Sequence, residues 1–220
     1  MLEFLRNSGK ATDRKLRLFA VACCRQLFRE VRVDLKDVHA VDVAERYADG
    51  DSTAVQLDAA VRYVPGPPSA RRTAAFACRD AASRDGGVEL ADCTSENAAW
   101  AAGEHAASLV SANNDSPEFA AGRAAEQAEQ ATLLRDLFGR LRFREVVLDL
   151  AWLTGTVRGL GEAAYQERQL PDGTLDPDRL AVLADALEDA GAGGELMDHL
   201  RGPGPHWRSC WAIDKLTGRQ

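Results

Sequence analysis

The densest run of chemically capable side chains is Arg201-Gly202-Pro203-Gly204-Pro205-His206-Trp207-Arg208-Ser209-Cys210-Trp211, with Asp214 close behind. On a helix beginning near Pro205, His206, Cys210 and Asp214 fall at i, i+4 and i+8, roughly one face, with Trp207 and Trp211 as a stripe beside it. Three chemistries suit such residues. A metal could take His206 and Cys210, but zinc usually wants four ligands, and no second pair is evident because His39, His105 and His199 are scattered. Cys210 could be a nucleophile with His206 as base and Asp214 as orienting acid, although adjacent turns of one helix rarely give that geometry. A helix start near His206 exposes free backbone N–H groups, and Arg201 and Arg208 could flank a phosphate or carboxylate there. Against all three stands plain packing. Trp207, Cys210, Trp211 and Ile213 would seat the last helix, while His206 and Arg208 satisfy nearby carbonyls or acids.

Other constellations are weaker. Glu96, Glu104, His105, Glu126 and Glu129 suggest a carboxylate-bridged di-metal site, but that class needs Glu-x-x-His pairs, and Glu104-His105 has the wrong spacing. Gly159-Leu160-Gly161 lacks the third glycine and the preceding strand of a dinucleotide motif. The sequence therefore predicts no catalytic residue, no cofactor and no metal. It leaves Arg201, His206, Trp207, Arg208, Cys210, Trp211 and Asp214 as an anion-binding or interaction set.

The segments that carry and surround these residues read as helices. The chain has 220 residues, rich in Ala and Leu with a single Ile, and no βαβ rhythm or strand alternation interrupts it. Leu16, Phe19, Cys23 and Leu27 recur at helical spacing between Thr12 and about Arg32, with Arg14, Lys15, Arg25 and Arg29 on the remainder, predicting an amphipathic helix. Asp34 resembles a cap for Leu35 to Ala48, and Ser52 can cap a helix running to about Val64. Pro65-Gly66-Pro67-Pro68 ends that helix. Ser69 to Arg84 is next, then a helix capped by Thr94 or Ser95 through about Ser111. Ser116-Pro117-Glu118 starts another that runs to Phe138. Residues 140–155 are ambiguous between helix and extended chain. Thr156 to Arg168, Asp176 to Gly191, Glu195 to Leu200 and His206 to about Thr217 complete the series, with a turn at Pro171-Asp172-Gly173. The expectation is an all-α bundle of roughly eight to ten helices in one domain spanning 1–220. Ala-rich stretches would let helix axes approach closely, with Phe76 and Trp100 filling the gaps.

Net charge is −7 and unevenly placed. Both ends are basic and the middle is strongly acidic, which disfavours general nucleic-acid binding. Five cysteines form no CxxC pair, and Cys23 and Cys24 sit in an apolar pattern where a free thiol behaves as a small hydrophobe. Met1 to Arg6 lacks the apolar core of a secretory signal, and no apolar run approaches membrane-spanning length. These features predict a cytoplasmic protein.

Three blocks resemble a set of uncharacterised bacterial proteins from highly paralogous genomes. They are Asp13-Arg14-Lys15-Leu16-Arg17-Leu18-Phe19-Ala20 with Ala22-Cys23-Cys24-Arg25; Ala40-Val41 with Val43-Ala44-Glu45-Arg46-Tyr47-Ala48-Asp49-Gly50; and Leu183 to Gly191 with His199 to His206 and Cys210-Trp211. The third block is similar in texture to segments that accompany repeat arrays in such bacteria, and the stretch from about 65 to 135 looks like the family's variable Ala/Trp-rich part. Relatives often carry a short segment before the position of Met1 and a basic residue with tryptophan where this chain has Gln26-Leu27-Phe28. The resemblance implies an architecture and no established activity. Two functions follow as expectations: a non-catalytic helical module whose basic ends and aromatic C-terminal segment dock another protein, or a small ligand binder or enzyme using the His206–Asp214 helix with Arg201.

Overall fold

The computed structural model describes residues 2, 4–5, 11–61, 69–84, 86–139 and 146–219. Among them are ten α-helices, one 3-10 turn and no strand, so the all-α expectation holds. The helices are α1 (Asp13–Leu27), α2 (Leu35–Ala48), α3 (Ala54–Ala60), α4 (Ala70–Ala81), α5 (Gly87–Leu109), α6 (Pro117–Phe138), α7 (Gly155–Gln166), α8 (Pro177–Asp189), α9 (Glu195–Leu200) and α10 (Trp211–Thr217). Their contacts gather into two compact units, Met1–Thr132 and Leu133–Gln220, a division inside α6 that no break in the sequence pattern announces. The proline-rich break at 65–68 lies outside the described residues.

Short polar side chains start most of these helices. Thr12 accepts from the Lys15 N–H, Ser116 from Phe119, Thr154 from Val157 and Asp176 from Asp178, each quenching a donor that the first turn leaves unmet. Thr53, rather than Ser52, caps α3 and receives the Gln56 side chain in return. Helix α5 departs most from expectation. It begins at Gly87, because Thr94 and Ser95 are interior positions, fully or nearly buried, and Ser95 Oγ turns back to the Asp92 carbonyl.

In the first unit, α1 touches α2, α4 and α5. The predicted helix forms over Asp13–Leu27, and every residue from Leu16 to Leu27 is buried, the charged ones with the apolar ones. Those charges are satisfied inside. Arg17 Nη1 donates to the carbonyls of Ala81 and Ser83, 2.9 and 2.6 Å away, and its guanidinium stacks on Tyr47. Arg25 Nη2 reaches Glu45 at 2.6 Å and Asp42 at 2.8 Å. Small residues set the α5–α6 approach: a Cβ on Gly122 would stand 2.6 Å from Ala106 Cβ and 2.8 Å from the Ala102 carbonyl oxygen. Trp100 packs edge-on against Phe119 but remains 38% exposed under Arg123, and Phe76 is half-buried between Arg72 and Arg79. Both aromatics therefore sit at the margin of the core instead of plugging it.

The second unit packs α7, α8, α9 and α10 around Tyr165, Leu180, Leu183, Leu187, Leu196, Ile213 and Leu216. The ambiguous stretch 140–155 belongs to this unit; its described part contains the 3-10 turn Leu150–Trp152, preceded by non-helical residues 146–149, and residues 140–145 lie outside the described set. The last helix starts at Trp211, five residues later than expected. Residues 201–210 form a loop in which Trp207 bridges Thr174, and Ser209 adopts φ 71°. A Cβ on Gly202 would come within 2.9 Å of the Asp198 carbonyl oxygen, so the chain leaves α9 by a turn that only glycine fits.

Candidate functional site

The loop and the late helix start rearrange the predicted set. His206, Cys210 and Asp214 share no helical face, and the exposed N–H groups expected near His206 are absent because no helix begins there. Arg201 is exposed and bound to Asp185 and Glu188 at 2.8 and 2.6 Å. Arg208 is buried, with its guanidinium 4.5 Å from the Tyr165 ring centre. Asp214 is buried and accepts the Ser209 hydroxyl at 2.6 Å. The structure does not bring these three together around an anion. Trp207 and Trp211 are 1% and 7% exposed, so both indoles serve the interior.

Two members of the predicted set do converge, on partners the local spacing did not reveal. Asp136, in the last turn of α6, places Oδ1 2.7 Å from His206 Nδ1 and 3.4 Å from His199 Nε2. His199, near the end of α9, holds Nε2 3.0 Å from Cys210 Sγ. The ligating atoms of all four side chains lie within 4.8 Å of one another. Asp136, His206 and Cys210 are buried, and only His199 keeps an exposed edge. The His199 ring also lies 4.7 Å from His206 and 4.8 Å from Trp211, which wall the cluster.

Surrounding groups orient these four. Asp136 Oδ2 accepts the Trp207 backbone N–H at 2.8 Å, locking the carboxylate plane. Cys210 is the residue before α10, and its sulfur is approached by the Ala212 and Ile213 amides of the helix's first turn. His206 Nε2 is buried without a hydrogen-bond partner and faces the Gly202 backbone.

Electrostatics follow from this enclosure. Burial works against an ionised Asp136, yet the hydrogen bonds from His199 and His206, the His206 charge and the Trp207 amide outweigh it. The carboxyl is held below its ordinary range. Burial opposes protonated His206, but bonding and attraction to Asp136 prevail and raise its pKa. Burial, helped by the Asp136 charge, lifts the Cys210 thiol well above its usual value, against the pull of the two helix amides. A thiol so placed is a poor nucleophile.

Among the described residues of the first unit, a cleft of about 310 Å³ is lined by Asp58, Val61, Arg79, Asp80, Ser83 and Arg84. Its charges are already engaged, Arg84 with Asp58 at 2.6 Å and Arg79 with Asp80 at 3.8 Å. No family model, curated protein or solved structure matches the chain. Of the described helices, none is long and apolar enough to cross a membrane.

Proposed function

We propose that the protein is a non-catalytic helical module that acts by binding another protein. The observation supporting this reading is the closure of the His206–Asp214 segment. Both tryptophans are buried, His206 is bonded to Asp136, and Arg201 is neutralised by two acids. An enzyme or anion binder using this segment with Arg201 would need those groups facing a solvent-filled pocket.

The docking role of the basic ends is revised in this reading. Arg14 is paired with Asp49, Arg17 and Arg25 are internal, and Arg219 makes a two-pronged contact with Glu162. Exposed apolar side chains take their place as contact candidates, foremost Leu109 and Val110 at the end of α5, 72% and 59% exposed. The proposal keeps nucleic acid and membrane out of the partner list and places the protein in the reducing cytoplasm, in keeping with its acidic middle and five free thiols. It also keeps the resemblance to the paralogous bacterial family, whose three blocks fall on α1, α2 and α8 to α10.

A photo-crosslinking residue at position 109, introduced in the cells that make the protein, tests this. The expected result is one discrete adduct whose partner co-purifies in fixed ratio with the unmodified chain. Leu109→Lys with Val110→Lys should abolish that co-purification at unchanged melting temperature. Full partner retention by the double variant, or binding of inorganic phosphate lost on Arg208→Gln, would overturn the reading.

A further inference from the structure

The geometry points to a structural zinc site formed by Asp136, His199, His206 and Cys210, a set of one carboxylate, two imidazoles and one thiol held within 4.8 Å. This inference is independent of whether the module binds a protein. Four donors held about 2.0–2.3 Å from a tetrahedral ion stand roughly 3.3–3.8 Å apart. Separations of 2.7, 3.0 and 3.4 Å lie at or below this span and the widest reaches 4.8 Å, so side-chain shifts of about 1 Å would bring the four donors around one ion.

Protons serve this convergence poorly. His199 Nε2 faces both Cys210 Sγ and Asp136 Oδ1 with one hydrogen at most to share. A cation satisfies every inward lone pair at once. The outer contacts are those that ligands of a metal need: a backbone N–H on the free Asp136 oxygen, helix amides on the Cys210 sulfur, and the Gly202 backbone opposite His206 Nδ1. The mixture of one soft thiolate with imidazole and carboxylate suits a borderline cation and excludes calcium or magnesium, which take oxygen ligands. Four protein donors leave no position for substrate water, so the ion's role is structural. Uptake replaces the Cys210 S–H bond with an S–metal bond, and the displaced proton, with any carried by His206, passes to solvent. The ion would join the end of α6, the end of α9, the 201–206 loop and the start of α10, all in the second unit.

The test is titration of the full chain, stripped with a chelator, by cobalt(II) chloride and then zinc chloride. The expected spectrum has the intense visible bands of tetrahedral cobalt and a near-ultraviolet thiolate charge-transfer band. Both should saturate at equal molarity and be bleached by equimolar zinc. Cys210→Ser should lose the charge-transfer band, and His199→Gln should weaken zinc binding at least about tenfold. Cys93→Ser and His105→Gln should bind as the parent does. Should the site variants fail to fold, thermal unfolding of the parent gives a second reading: equimolar zinc should raise its melting temperature and magnesium should not. Weak octahedral cobalt bands, a spectrum that survives Cys210→Ser and His199→Gln, or a melting temperature unmoved by zinc would overturn the assignment.

Discussion

Glu126 on α6 is a carboxyl placed where its charge is costly, and Glu126→Gln exposes that cost. Burial, reinforced by the nearby charges of Glu30 and Glu129, outweighs the hydrogen bond from Gln130 and lifts its pKa from 4.5 to about 7. The folded chain therefore binds this proton more tightly than the unfolded chain. Below pH 4.5 both states hold it and the fold carries no penalty. As pH rises from 4.5 to about 7 the unfolded state ionises first, and stability falls; above that range the full penalty remains. A rise of roughly 2.5 in pKa, at about 1.36 kcal/mol per unit, corresponds to about 3 kcal/mol. The amide introduced at position 126 keeps an oxygen to accept from Gln130 and cannot ionise. At about pH 8 the variant should be more stable by about 3 kcal/mol, roughly 6–12 °C in melting temperature for a chain of this length. Near pH 4 the two proteins should coincide. Urea denaturation followed by circular dichroism at half-unit pH steps measures the difference directly. Parallel curves from about pH 4 to about pH 8 would refute the reasoning, since they would mean that the carboxyl titrates alike in folded and unfolded chains.

Three further perturbations follow from the packing. Gly122→Ala should destabilise by about 1–3 kcal/mol in urea denaturation, against the gain of about 1 kcal/mol that helix propensity alone gives, because the new Cβ meets Ala106 and the Ala102 carbonyl. Glu45→Ala should cost about 3–5 kcal/mol by removing the buried carboxylate 2.6 Å from buried Arg25, and Arg25→Met combined with Glu45→Leu should recover most of it. Trp207→Ala and Trp211→Ala should each cost about 3–5 kcal/mol in thermal unfolding; near-parental melting of either would mean that its indole is not core.

Much of the helical framework is legible in the chain because helix ends are local events. Asp34, Ser116 and Asp176 announce α2, α6 and α8 at their observed starts, and Gly139 and Gly191 follow the ends of α6 and α8 with positive φ. The start of α5 is misread because Thr94 and Ser95 carry the side chains of caps, yet tertiary packing buries them inside the helix. The burial of the α1 charges is not legible locally, because Arg17 finds its carbonyl partners 64 and 66 residues away and Arg25 finds its carboxylates on the next helix, 17 and 20 residues away. The candidate site fails for the same reason. His206 and Cys210 attract attention through their four-residue spacing, but the loop places them together without a helix. Asp136 is 70 residues from His206, and no spacing rule connects them. His199 is the nearer signal: its position before the Gly202-Pro203-Gly204-Pro205 turn folds it back toward Cys210.

Crystals of the full chain grown with zinc and measured across the zinc absorption edge show directly whether the C-terminal cluster is a structural centre with no open chemical position. One anomalous peak should lie about 2.0–2.3 Å from a donor atom of each of Asp136, His199, His206 and Cys210, with four protein ligands and no bound water. A cluster without a peak, or an ion held by fewer of these side chains with water completing its shell, would contradict the assignment.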